Sequence, residues 1–371
     1  MAEAFAQNGH VVRVVTNEYP LVARECSDFP NHSNVEVVVS TSFSGWEGEP
    51  WDVIVLVPDL SPTADVFRAA LAARAATMAP IIFLDFEAPG WFNSVNSNNP
   101  HPWYRTFAWK LASRHAHLIV SSTAVGSTHA RHDYGPLAGE EGFVVCHPPI
   151  NDRALPSEEV ARLDQAVVIT RKDRATSHKG ASILPKLVTW LPAGYSVVVL
   201  GSIDDGTRDA VVENSVGRDI TVEYLAGVSD AEKFRMISAS RLMVFASRFE
   251  GFGLPPVEAA CCGTPCVATR LPVLEETLGW GAVTFVEQDD ETALAEKVRE
   301  IAAAPGACLS KQAVEKARAL YGFAGYCARL EDLLRNSLPA AVPNARRMEL
   351  VLLSYALAVW SKAVNLSRRA L

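Results

Sequence analysis

No run of 18 or more uncharged apolar residues occurs in the 371-residue chain, and no basic segment followed by an apolar one opens it. Neither a membrane-spanning helix nor a secretory leader is expected. The seven cysteines (Cys26, Cys146, Cys261, Cys262, Cys266, Cys308, Cys327) are odd in number and include no C-x2-C pair, so a reduced, cytoplasmic compartment is expected. His115 with His117, and His129 with His132, bring no recurring Cys, Asp or Glu at ligand spacing, and no metal site is expected. Positive charge is scarce as well. With 34 Lys and Arg against 42 Asp and Glu, the formal charge of -8 works against a general grip on nucleic acid. Gly and Pro, at 22 each, are too few for a collagenous or disordered chain, and no internal repeat or low-complexity tract is present.

What the sequence does hold is core. Hydrophobic residues make up 49% of it, over a length that suits two domains better than one. Strand-like runs alternate with helical stretches: V-V-R-V-V-T (11–16), V-E-V-V-V-S (35–40), D-V-I-V-L-V (52–57), I-I-F-L-D-F (81–86) and L-I-V-S-S (118–122). A proline pair and a polar stretch follow, and the alternation restarts at 166–170, 197–201, 221–225, 242–246, 265–269 and 283–286. Such alternation predicts an α/β protein of two doubly wound, Rossmann-like parallel sheets. In that fold ligands bind beyond the carboxyl ends of the strands, so chemistry is expected in a cleft where two such edges face each other.

The most informative stretch runs from Leu242 to Val267 and reads strand, Gly-rich turn, helix, strand. Gly251 and Gly253 permit close backbone approaches, and Pro255 and Pro256 suit a first helical turn. Amides at a helix start, reinforced by the macrodipole, form a place for a phosphate. Glu250 and Glu258 flank the turn, each able to accept from a pair of hydroxyls. A nucleotide sugar offers that pattern: ribose diol, diphosphate, sugar hydroxyls. Arg171, Lys172, Arg174 and Lys179 crowd after the strand at 166–170, where they would offset charge on a departing diphosphate. Gly201 ends a similar strand, a place for backbone near a ligand.

On these residues the sequence resembles the retaining glycosyltransferases of family 4, which have the GT-B architecture. E-G-F-G-L-P-P-V-E matches the family's Glu-x7-Glu signature, and the similarity runs from about Ala166 to Glu300, with L-A-G-V-S-D-A-E-K-F-R-M-I-S-A-S-R before the signature and C-G-T-P-C-V-A-T after it. The resemblance implies that Glu250 contacts donor-sugar hydroxyls, that Glu258 holds the ribose, and that amides of Phe252, Gly253 and Leu254 lie along the sugar and diphosphate. Lys179 and Gly180 match the family's Lys-Gly pair. Its Arg falls on Arg171, which directly follows the strand, or on Arg174, which has the family's spacing; Arg171 is favoured. The implied enzyme is metal-independent, has no cofactor, and moves a hexosyl unit from a UDP- or GDP-linked sugar to a saccharide or lipid-linked acceptor, as in polysaccharide biosynthesis. A non-catalytic nucleotide-sugar-binding or scaffold protein of the same fold is the alternative.

The resemblance implies an acceptor-side domain at 1–150, a linker at 151–164, a nucleotide-sugar domain at 165–310, and helices at 311–371 that cross back to the first domain. The family opens with a strand and a Gly-Gly loop, whereas this sequence starts at what corresponds to the first helix, so a missing first strand is expected. Asp85 stands near the place of the family's common His, and with Glu87 and Trp91 it is an acceptor-side candidate. The aromatics Trp91, Phe92, Trp103, Tyr104, Phe107 and Trp109 interleave with Asn93, Arg105 and Lys110, a composition on which sugar rings stack. In the tail, Leu350, Leu353, Leu357, Trp360 and Val364 form a helical stripe flanked by Arg346, Arg347, Arg368 and Arg369. It is expected to pack on the protein or on a second subunit, or to lie peripherally on an anionic membrane surface.

Overall fold

The computed structural model describes residues 1–16, 33–41, 43–46, 50–58, 64–96, 100–135, 142–171, 177–304, 306–338, 350–354 and 356–357. They belong to two compact units, one over Met1–His147 and Tyr326–Leu371, the other over Pro148–Gly325.

In the first unit the chain runs α1 (Ala2–Gln7), β1 (Val12–Thr16), β2 (Val35–Val39), β3 (Ile54–Leu56), α2 (Asp65–Thr77) and β4 (Ile81–Asp85). It continues with α3 (Pro89–Val95), α4 (Trp103–Ser113), β5 (Leu118–Ser121), α5 (Ala124–Tyr134) and β6 (Phe143–Val145). Every pairing is parallel, in a two-stranded sheet β1-β2 and a four-stranded sheet ordered β3-β4-β5-β6. β4 is buried along its whole length, as expected for a strand covered on both faces. Phe67 and Leu71 of α2, Phe83, Ile119 and Tyr134 build the core, and Leu350 and Leu357 of the tail join it with Leu353 packed alongside. The tail stripe therefore serves the first unit's own interior, while Leu352, off the stripe, stays exposed. Trp360, Val364 and the four flanking arginines lie outside the described residues.

The second unit continues with β7 (Leu163–Ile169), α6 (Leu184–Trp190), β8 (Tyr195–Leu200), α7 (Asp205–Ser215), β9 (Ile220–Leu225) and α8 (Asp230–Ala239). Then come β10 (Ser240–Phe245), α9 (Leu254–Cys261), β11 (Cys266–Thr269), α10 (Pro272–Leu278), β12 (Val283–Val286), α11 (Glu291–Ala303) and α12 (Lys311–Tyr321), and α13 (Phe323–Ser337) leads back. Its sheet is parallel throughout and ordered β12-β11-β10-β7-β8-β9. Read from β9, that is third, second, first, fourth, fifth, sixth, the doubly wound order. The winding reverses between β7 and β10. Continuous apolar runs such as Ala166–Val168 and Leu242–Phe245 are buried because helices cover both faces.

The second unit keeps α12, beyond the break expected at 310. Tyr321 explains this: its Oη donates to the Thr277 carbonyl at 2.7 Å, and Arg318 Nε donates to the Cys261 carbonyl at 2.9 Å.

Candidate functional site

Two loops leave the carboxyl ends of β7 and β10, the neighbouring strands at which the order reverses, and the signature residues sit on both. After β7, Thr170 Oγ1 donates to the Lys179 carbonyl at 2.7 Å, which returns the far end of the loop to the strand it left. The stretch is then held against the end of β10, where the Arg248 amide donates to the His178 carbonyl at 2.8 Å. Gly180 makes that approach possible. It has φ +75, and a Cβ there would stand 2.2 Å from the Ala246 carbonyl oxygen. The consequence is at the side chains: Lys179 Nζ donates to Glu250 Oε2 at 2.9 Å, with both groups largely shielded from water. An ammonium has three N–H bonds, so the pair with Glu250 accounts for one.

Beyond Glu250 the turn closes on Gly253, the residue preceding α9, at φ +90. A Cβ there would come 2.3 Å from Leu274 Cδ2 of α10, so that side chain would have to shift, and the positive φ favours glycine. Phe252 is buried with its ring edge-on to Tyr321 at 5.8 Å, which fixes the turn to α12. Pro255 and Pro256 begin the helix and carry no N–H, so the donors at this start come from residues up to Leu254.

Glu258 lies one turn into α9 and is 6% exposed. Lys233 of α8 donates to its Oε1 at 2.7 Å and to Asp230 Oδ1 at 2.8 Å, and Asn151 Nδ2 donates to Asp230 Oδ2 at 2.9 Å. Burial pushes the Glu258 carboxyl above the usual range, and the Lys233 ammonium opposes the rise without cancelling it. Burial also works against the charge on Lys233, but Glu258 and Asp230 outweigh it and hold the ammonium above its ordinary value. For Asp230 the hydrogen bonds from Lys233 and Asn151 overcome burial and leave the carboxyl low. Two acids eight residues apart thus engage two different lysines, one from the β7 loop and one from α8.

Of the remaining candidates, Arg171 is exposed at the end of β7, its Cβ 3.9 Å from where a Cβ on Gly201 would be. Gly201 itself answers to the protein's own backbone: at φ +130, a Cβ would lie 2.0 Å from the Thr170 carbonyl oxygen. Lys172 and Arg174 lie outside the described residues. In the first unit Asp85 ends β4, buried, accepting from Tyr134 Oη at 2.7 Å, and Glu87 is half-buried two residues on. Trp91 stacks flat on His129, ring centroids 4.6 Å apart. Phe92 and Trp109 are buried and Phe107 is exposed, so that aromatic segment divides between core and surface. The side chains of Trp103, Tyr104 and Arg105 lie outside the described residues.

Lys233, Asp230 and Asn151 were not anticipated. Phe234 and Ile237 of α8 are fully buried, and the packing of the helix carries Lys233, four before Ile237, to the same inward side.

The family described as Glycosyl transferases group 1 matches residues 156–320, the stretch that holds every residue of this site except Asn151. Residues 156–320 are a glycosyl transferases group 1 domain. The O-antigen chain mannosyltransferase RfbU of Salmonella typhimurium is 30% identical to the chain over 128 residues, 34% of this chain and 35% of that protein. The serotype-specific mannosyltransferase WbdA of Escherichia coli is 36% identical over 176 residues, 46% of this chain and 20% of WbdA. The chain therefore spans about a third or less of the length of these relatives. Among solved structures, Anabaena Alr3699/HepE in complex with UDP and glucose superposes with a TM-score of 0.68 at 15% identity, covering 90% of this chain and 94% of that one. At this identity the likeness carries the fold, which is GT-B. Within the group 1 domain, the switch point of the sheet and the Glu-x7-Glu turn coincide.

Proposed function

We propose that the protein is a retaining glycosyltransferase of family 4 that moves a hexosyl unit from a nucleotide diphosphate sugar to a saccharide or lipid-linked acceptor. The observation that carries this reading is the Lys179–Glu250 pair at the switch point, beside the helix start that follows Gly253. Glu250 holds Lys179 beside that helix start, where Lys179 and Arg171 take up charge on the departing diphosphate together with the amides up to Leu254. Charge stabilisation of this kind asks for no divalent ion. Glu250 meets the sugar hydroxyls and Glu258 the ribose diol.

In the reaction the bond from the sugar's anomeric carbon to the diphosphate oxygen breaks, and a bond to the acceptor oxygen forms on the same face. The acceptor's hydroxyl proton passes to the departing phosphate oxygen. Asp85, Glu87 and Trp91 are the acceptor-side residues. Because the named relatives are mannosyltransferases, a mannosyl donor is the first to test.

Calorimetric titration of UDP and GDP into wild type and Glu258→Ala tests the donor side, with affinity expected to fall about tenfold or more, the loss of charged hydrogen bonds. Release of nucleotide from UDP- and GDP-hexoses with saccharide and lipid-linked acceptors tests turnover. Lys179→Ala is expected to lower it by roughly a hundredfold. Tight donor binding with no turnover on any acceptor would favour the scaffold alternative.

A further inference from the structure

A carboxyl group as deeply buried as Glu258 is driven to neutrality unless a cation meets it. Lys233 meets it, at 2.7 Å, and is itself shared with Asp230 at 2.8 Å, which Asn151 anchors at 2.9 Å. Cys261 and Cys262 of α9 also stand near Glu258, and Arg318, Arg162 and Asp152 in turn surround those thiols. Burial pushes the two thiols up, to about 12 and about 11, so neither carries charge near neutrality. Arg318 is turned to the Cys261 carbonyl through its Nε. Among the described residues, the cation paired with Glu258 is Lys233.

We propose that Lys233 is a positioning residue: it keeps Glu258 ionised, so that the carboxylate accepts from both ribose hydroxyls of the nucleotide. Asp230 sets how much of the lysine's charge Glu258 receives. The role of Glu258 in this rests on the donor-binding reading above; the ionisation itself does not. A neutral carboxyl would spend one oxygen as a donor and meet two hydroxyl donors with one good acceptor. Nucleotide affinity in a protein without Lys233 thus becomes dependent on pH, returning as pH rises and Glu258 ionises.

Two measurements on the full chain test it. With glutamate labelled at its carboxyl carbon, the Glu258 resonance, assigned through Glu258→Gln, is followed from about pH 5 to 9, a range that brackets a carboxyl raised by burial. Lys233→Met is expected to raise the midpoint, and Asp230→Asn, which leaves the lysine to Glu258 alone, to lower it. The opposed directions hold the test open even if Lys233→Met fails to fold. An unmoved midpoint in Asp230→Asn, or an unmoved one in a folded Lys233→Met, overturns the proposal whether or not any nucleotide binds. Calorimetry with UDP and GDP is the second measurement. Lys233→Met is expected to lose about tenfold in affinity near neutral pH, one unit of pH-linked ionisation, and to regain it at high pH. A loss that does not vary with pH, or no loss, overturns the proposal while Glu258→Gln still binds weakly. If Glu258→Gln binds both nucleotides as wild type does, the ribose reading itself fails and the proposal falls with it.

Discussion

Asp85 closes β4 with one carboxylate oxygen accepting from Tyr134 and the other without a hydrogen-bond partner among the described residues, at 1% exposure. Burial lifts its pKa to about 7, the Tyr134 hydrogen bond only partly opposing this, with Asp133 and Glu87 adding to the rise. The unfolded chain titrates near the ordinary 3.8, so between the two values the folded state holds the extra proton. The contribution is full below about pH 4 and is lost as pH rises through about 7; it is on the order of 4 kcal/mol. Asp85→Asn keeps an acceptor for Tyr134 and removes the titration. Its unfolding free energy in urea is expected to stay level from about pH 5 to 8, where that of wild type falls, and to exceed wild type at the upper end. A wild-type profile flat over that range would show that Asp85 titrates normally.

At the scale of elements, the site depends on how tightly the β7 loop lies on β10, and on α8 through Lys233 more than through the cap of that helix. Ser229 caps α8 by accepting from the Glu232 amide while Glu232 accepts from the Ser229 amide, a reciprocal capping box. Ser229→Ala is expected to cost about 1 kcal/mol and to leave turnover close to wild type. Gly180→Ala forces a Cβ into the Ala246 carbonyl at positive φ and is expected to cost at least about 2 kcal/mol. It also parts Lys179 from Glu250, so turnover falls with stability; equal turnover in the two variants would mean the loop contact does not matter to the reaction. The strands of both units other than β6 were legible from their apolar runs, and the turn from Gly251 and Gly253, since backbone demands of that kind show in residue type; β6 is three residues shortly before the proline pair, too short a run to read as a strand. Lys179 and Glu250 were each legible as candidates through the resemblance, but not the ion pair between them. The pairing of Glu258 with Lys233 was not, because a lysine in a helix reads as a solvated charge until tertiary packing turns it inward. The Thr170 carbonyl leaves no room for a Cβ on Gly201, a contact between strand ends that sequence spacing does not reveal.

Two cores of the described residues have no residue in common, one built on β7, β8, β10 and α6, the other on β4, β5, α2 and the tail residues Leu350 and Leu357. Among the described residues no helix is long and apolar enough to cross a membrane, and the described part of the tail stripe is spent on the first core. Separate cores predict separable responses. Leu350 is 1% exposed, and Leu350→Ala is expected to destabilise the first unit by about 3 kcal/mol, the usual cost of truncating a buried leucine. Nucleotide should act on the second unit alone, since Lys179, Glu250, Glu258 and Lys233 all belong to it. A nucleotide that binds there at a hundred times its dissociation constant stabilises by about 2.7 kcal/mol. Scanning calorimetry of wild type and Leu350→Ala, with and without UDP or GDP, is therefore expected to show one transition lowered by the substitution and a different one raised by the nucleotide. If the substitution lowers the nucleotide-responsive transition by the same amount, the tail stabilises the donor-binding unit as well, and the two cores unfold as one.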